Sequence, residues 1–250
     1  MNKKITFAEQ VLNFNNKLSH ESLDLPYGFK AINPFNGDQK ELVKEITSAF
    51  YKKYYNDTRS RRLILGSSPS RRGTAITGIP FEDAKHLQSE ILKLSCCQIR
   101  SHHLLLLPRS RWLPFQSSSG FLYDVMRKYG GCKKFYADFY MNFVCPIGIV
   151  RINSRGNEVN CNYYESKKLQ KVLYNFIIST IRSQIDFGVD TSVCYCIGSG
   201  ENYRFLSKIN NEYNFFSKII PLEHPRFIMQ YNSKKKDVFI EKYINSLLIK

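Results

Sequence analysis

The sequence has no C-x-x-C pair. Its seven cysteines, Cys96, Cys97, Cys132, Cys145, Cys161, Cys194 and Cys196, are odd in number and spaced unlike metal ligands. Several lie inside apolar runs, where cysteine behaves as a small hydrophobe. A disulfide framework or a cysteine-ligated cluster finds little support, and a reducing, cytoplasmic compartment is expected. No run approaches eighteen apolar residues, so no membrane span and no membrane partner are expected. The opening MNKKITFAEQVLNF lacks a sustained apolar core and a small-residue cleavage site, so it reads as a helix and not a signal peptide. Acidic residues are few, 21 against 37 Lys and Arg, which leaves a net charge of +16. Such an excess favours a polyanionic partner, with nucleic acid the usual one. No polar linker or internal repeat divides the 250 residues, so residues 1–250 read as one domain acting as a monomer.

What is present is globular: 43% hydrophobic and 14% aromatic residues supply a core. Residues 5–18 and 38–56 have helical periodicity, with Asp38 as N-cap of the second. Asp24 and Asp83 also read as caps. PYGFKAINPFNGD between the two helices is rich in turn formers. Four short apolar runs read as buried strands: 62–66, 142–150, 191–198 and 217–224. Helical stretches at 164–188 and 201–213 lie between them, and 233–250 reads as a basic amphipathic helix. Strands alternating with long helices predict a three-layer α/β/α sandwich around a mostly parallel four-stranded sheet. Ligands of such sheets bind at the carboxyl ends of the strands. Residues 94–120, with LLLL and the adjacent His102 and His103, have no clean period and yield no chemistry.

Two constellations fall at strand ends. Gly66-Ser67-Ser68-Pro69-Ser70 follows the run RLILG, and Thr77-Gly78-Ile79-Pro80-Phe81 follows it at a short distance. Glycine and proline shape the loop, while the serines offer hydroxyls. His224-Pro225-Arg226 ends the last strand, where the histidine either caps a helix or faces the serine loop. A third element is the Cys145-Pro146 turn. Asn33 before Pro34 builds the pocket floor or starts a turn. Tyr163 and Tyr164 line a groove or belong to the core.

Together these motifs resemble the uracil-DNA glycosylase superfamily, closest to the single-strand-selective monofunctional uracil-DNA glycosylases and their uncharacterised bacterial relatives. Gly66-Ser67-Ser68-Pro69-Ser70 stands for the family's G-M-N-P-G, Thr77–Phe81 for its T-G-V-P-F, and His224-Pro225 for the start of its second motif. Ile32-Asn33-Pro34-Phe35 and Cys145-Pro146-Ile147 have counterparts too. The resemblance implies a monofunctional DNA glycosylase that excises uracil or another deaminated or damaged base by hydrolysis, in base excision repair. It implies single- or double-stranded DNA as partner and no metal or small-molecule cofactor. By it, Ser68 holds the attacking water and His224 meets the negative charge developing on the base. Gly66, Ser67, Phe81, Asn142 and Phe143 bind the base, with Phe81 stacking on it. Arg71, Arg72, Lys234 and Lys235 meet phosphates, and Arg226 or Phe227 enters the gap the base leaves.

The sequence departs from the family at two places. Ser68 stands where the family has a water-positioning asparagine, and a hydroxyl offers fewer hydrogen bonds than an amide. Asn142 lies one residue short of the family's base-reading asparagine, which in a strand is the opposite face. Two other functions stay open at this level. One is a catalytically weak relative that only binds lesions. The other is an α/β hydrolase using Ser67 or Ser68 as nucleophile, for which no acid partner of His224 is evident.

Overall fold

A computed structural model describes residues 4–71, 73–82 and 117–249. Its centre is a four-stranded sheet of order β3-β2-β6-β7, parallel throughout, formed by β2 (Arg62–Gly66), β3 (Phe139–Phe143), β6 (Asp190–Ile197) and β7 (Lys218–Leu222). Helices α1 (Phe7–Ser19), α2 (Lys40–Tyr55), α4 (Ser117–Tyr129), α5 (Cys132–Asp138), α6 (Lys167–Ile185), α7 (Glu201–Tyr213), α8 (Pro225–Tyr231) and α9 (Lys236–Leu247) surround it. A single turn, α3 (Thr74–Thr77), follows β2. Burial on both faces explains the apolar strands: Leu63, Ile64 and Leu65 of β2 and every residue of β3 are buried.

A second sheet went unread in the sequence. β1 (Phe29–Ile32), β4 (Gly148–Ile152) and β5 (Glu158–Cys161) form an antiparallel ribbon of order β1-β4-β5. The apolar run 142–150 is therefore not one strand but the end of β3 and the start of β4. Cys145-Pro146 is the break between them, and Pro146 has no N–H to give a ladder. The turn is tied to the serine loop: Val144 N–H donates to Gly66 O at 2.8 Å and Cys145 N–H to Ser67 O at 3.0 Å.

Local caps place the helices with small corrections. Thr6 caps α1 with Glu9 in a reciprocal capping box. Gln39, not Asp38, sits at the N-cap of α2, and it makes no side-chain cap bond. No helix begins at Asp24, and Asp83 lies outside the described residues. The C-terminal basic segment opens with a 3₁₀ turn at Ser233–Lys235 before α9.

The start of β2 is fixed by Arg61, which is 1% exposed. Its guanidinium forks onto both Asp57 oxygens at 2.9 Å, and Nε donates to Tyr136 O at 2.7 Å. It also lies over the rings of Phe7 and Tyr55. Burial alone would raise the Asp57 pKa, but the Arg61 pairing outweighs it and holds the carboxyl below its ordinary value. A strand anchored this firmly at its amino end delivers the loop at its carboxyl end to a fixed place.

Candidate active site

Three strand ends converge at one sheet edge. Gly66 closes β2, Phe143 closes β3, and His224 follows β7. Gly66 is required by packing: a Cβ there would lie 2.5 Å from Phe81 Cζ and 3.0 Å from Phe143 Cδ1. The missing side chain lets the Phe81 and Phe143 rings stack over the strand end, with centroids 5.1 Å apart and planes 28° apart.

Phe81 has φ +62°, a left-handed conformation that a bulky residue rarely adopts. Its surroundings hold it there. Phe81 N–H donates to Thr74 Oγ1 at 3.1 Å, and Ser119 Oγ donates to Phe81 O at 2.8 Å. The next residue, Glu82, is buried and accepts from the Tyr123 hydroxyl at 2.8 Å and the Tyr136 hydroxyl at 3.3 Å. Gly78, at φ +71°, turns the chain where a Cβ would meet Val43 at 2.6 Å. Such strain, paid for by surrounding bonds, is typical of functional positions.

His224 plays both parts that its position allows. It is the N-cap of α8, its Nδ1 accepting from the Arg226 N–H at 3.1 Å. With Nδ1 an acceptor, the proton of the neutral ring sits on Nε2. Burial, with the Arg226 charge adding to it, pulls the imidazole down from 6.5 to about 4, so the ring is neutral at neutral pH. A Ser–His–Asp triad needs the reverse tautomer, with Nδ1–H donating to a carboxylate. The geometry thus speaks against a serine nucleophile.

A cavity of about 360 Å³ opens between these elements, lined by Ser67, Ser68, Arg71, Phe81, Phe143 and His224 among others. A contiguous groove shares Ser67, Ser68, His224 and Arg226 with it and runs past Tyr164, Phe227 and Tyr231. Phe227 and Tyr231 are 48% and 69% exposed, an apolar pair at the groove wall with rings 5.8 Å apart.

Of the residues singled out in the sequence, Ser67, Ser68, Arg71, Phe81, Phe143, His224, Arg226 and Phe227 are brought together. Asn142 is not: its Nδ2 donates to the Tyr140 hydroxyl at 2.8 Å and its Oδ1 accepts from Phe143 N–H at 2.9 Å. Its amide is occupied inside the core, and Phe143 is the β3 residue at the cavity. Lys234 and Lys235 stand exposed on the 3₁₀ turn after α8, outside the cavity lining. Arg72, His102 and His103 lie outside the described residues. Asn33 is a turn residue, its Oδ1 accepting from Phe35 N–H and its Nδ2 donating to Leu18 O. Tyr163 is core and Tyr164 lines the groove.

The sequence reading missed Glu82, Asn160 and Asn162. Asn160 Oδ1 accepts from Arg71 N–H at 2.9 Å. Asn162 Oδ1 accepts from Ser67 Oγ at 2.8 Å and Ser68 Oγ at 3.2 Å. Both asparagines sit at the end of β5, a strand without an apolar signal. Among the described residues no group of three His, Cys, Asp or Glu side chains is arranged to hold a metal ion, and no helix is long and apolar enough to cross a membrane.

A neutral histidine, two stacked phenylalanines and a hydroxyl loop thus meet at the carboxyl edge of a parallel α/β sheet, where such sheets bind their ligands. The model of the uracil DNA glycosylase superfamily matches residues 52–248, and the chain belongs to that superfamily. It is similar to a solved structure, wild-type SMUG2 of Pedobacter heparinus, with 44% sequence identity, a TM-score of 0.85 and 97% of each chain covered. No curated protein matches significantly. The function is of uracil-DNA glycosylase type, in base excision repair, with DNA as the partner.

Proposed function

We propose that this protein is a monofunctional DNA glycosylase that removes uracil, or another deaminated or damaged base, by hydrolysis and without a metal. The observation that carries the reading is the state of His224. Its Nδ1 is taken by the helix cap, so the ring offers a neutral Nε2–H to a cavity that also holds Phe81 and Ser68.

A base turned out of the stack lies against the Phe81 ring, an interaction worth ~1–3 kcal/mol. As the C1′–N bond breaks, its electron pair passes to the base. The His224 Nε2–H donates to the base oxygen on which that charge collects, a contribution of about 3 kcal/mol. A water oxygen bonds to C1′ and releases its proton to solvent, while the departing base takes up one proton. The sum is addition of one water across the bond. Arg71 and Arg226 border the opening and meet flanking phosphates, and Phe227 fills the vacated space in the duplex. The protein acts as a monomer.

The test uses a labelled oligonucleotide with a single uracil, single-stranded and opposite each base. Parallel substrates carry xanthine, hypoxanthine and 5-hydroxymethyluracil, and each is run with and without EDTA. Hot alkali reveals abasic sites. Cleavage at one lesion, unchanged by EDTA and lost in His224→Ala and Phe81→Ala, is expected. A folded protein that binds these DNAs and cleaves none is a lesion binder, and the enzymatic reading fails.

A further inference from the structure

Resting on that reading, we propose that Asn162, held by Glu165, positions the attacking water through the Ser68 hydroxyl. The loop after β2 carries a serine where an amide is expected, and a serine hydroxyl is a free rotor with one proton and two lone pairs. Left alone it has no reason to present either to a particular water. The structure supplies that reason from a different strand.

Asn162 follows β5 (Glu158–Cys161) directly. Its backbone N–H and its Nδ2 both donate to Glu165 Oε1, at 2.8 and 3.1 Å. A carboxylate only accepts, so the edge of the amide that faces Glu165 is the nitrogen and the opposite edge is the carbonyl. That carbonyl receives Ser67 Oγ at 2.8 Å and Ser68 Oγ at 3.2 Å. It has no proton of its own, so both hydroxyls donate to it. Ser67 is also a hydrogen-bond partner of the Tyr164 hydroxyl.

The consequence falls on Ser68. Its proton is committed to Asn162, and its lone pairs remain for the cavity that it lines with His224 and Phe81. A water that donates one hydrogen to Ser68 Oγ keeps a lone pair for C1′. As the C1′–N bond breaks toward the base, that lone pair forms the C1′–O bond and the water's second proton goes to solvent. Ser68 and Asn162 end as they began. Asn162 is thus a positioning residue, and the amide the family carries in its first motif is supplied here across the groove.

A purely structural asparagine would instead order the turn before α6, and a double-mutant cycle separates the two roles. Asn162→Ala, Ser68→Asn and the double variant are compared by single-turnover excision of the base that the wild type removes. Affinity for DNA with a tetrahydrofuran abasic analogue is measured alongside. Loss of one hydrogen bond that acts only in the chemical step slows Asn162→Ala roughly 10- to 100-fold, with affinity unchanged. In the Ser68→Asn background, where an amide is restored to the loop, the same substitution costs less than about threefold. Equal losses in both backgrounds, or a rate loss that tracks affinity, overturn the proposal. A second readout needs no turnover. High-resolution crystal structures are expected to show a water on Ser68 Oγ in the wild type and none in Asn162→Ala. A wild type without that water overturns the proposal, whereas a wild type that holds it and excises nothing overturns only the glycosylase reading.

Discussion

Replacing His224 by asparagine, and separately by alanine, divides the work of its two nitrogens. Nδ1 caps α8 through the Arg226 N–H at 3.1 Å. Asparagine is a good N-cap and alanine is not. The lost cap costs ~1 kcal/mol, which in a chain of this size lowers Tm by about 2–4 °C. Nε2–H is the proposed donor to the base, and removal of one such donor costs ~100- to 1,000-fold in rate. His224→Asn is expected to keep the wild-type Tm and to lose at least ~100-fold in single-turnover excision. His224→Ala loses both. If His224→Asn keeps its rate within about tenfold, the histidine is a cap alone and the mechanism is wrong.

The same side chain sets a pH dependence whose sign is fixed. Burial first, and Arg226 second, lower its pKa from 6.5 to about 4 in the folded protein. Between these values the unfolded chain binds the proton and the folded one does not, so stability rises with pH across this window and levels off above it. The difference amounts to roughly 3 kcal/mol at its limit. Urea titrations from neutral pH to pH about 4 should show this loss in the wild type and a flatter curve in His224→Asn. The excision rate should show no inflection near the ordinary histidine pKa. An inflection there identifies the imidazolium as the working form and refutes the neutral donor.

Other predictions follow from packing and charge. Gly66→Ala puts a Cβ 2.5 Å from Phe81 Cζ. It is expected to cost ~1–3 kcal/mol of overpacking and to slow excision, with a smaller effect once Phe81 is alanine, when only the contact to Phe143 at 3.0 Å remains; fully additive losses would show that the Phe81 ring is not what moves. Phe81→Leu removes ~1–3 kcal/mol of base stacking, seen as weaker binding of lesion DNA with undamaged DNA unaffected. Lys234→Gln with Lys235→Gln lowers the slope of log affinity against log salt by about 0.9 for each phosphate no longer neutralised, and an unchanged slope places that turn away from DNA. Arg61→Met removes the fork onto Asp57, which keeps only its contacts to Arg59, and leaves Tyr136 O without that donor. It should destabilise by about 1–3 kcal/mol, the cost of buried hydrogen-bonding groups left unmet, and a Tm near wild type would refute the anchor.

The parallel sheet was legible mainly through β2 and the carboxyl half of β6, which are buried on both faces and announce themselves as apolar runs, whereas β7 is buried only at Leu222. Every residue of Leu63–Gly66 is buried, as is the stretch from Val193 to Ile197. The second sheet gave no such signal. β1 reads Phe29-Lys30-Ala31-Ile32 with two exposed residues inside a turn-rich segment, and β5 reads Glu158-Val159-Asn160-Cys161. Short strands in a half-solvated antiparallel sheet need neither a long run nor strong alternation. The run 142–150 misled for the opposite reason. Two buried segments belonging to different sheets look continuous, and only Pro146 marks the break.

The site divides along the same line. Thr77–Phe81 was readable because it matches a family motif residue by residue, and its glycine, at φ +71°, is one the backbone itself demands. Requirements of that kind are local and leave local marks. Asn162 leaves none, since an asparagine five residues before a helix looks like any turn former. Its meaning comes from Ser68, 94 residues away in sequence and 3.2 Å away in space. The serine read alone is a weakened motif. Beside Asn162 it is half of a hydrogen-bonded pair, in which, on the mechanism proposed above, the hydroxyl holds the water and the amide supplies its direction.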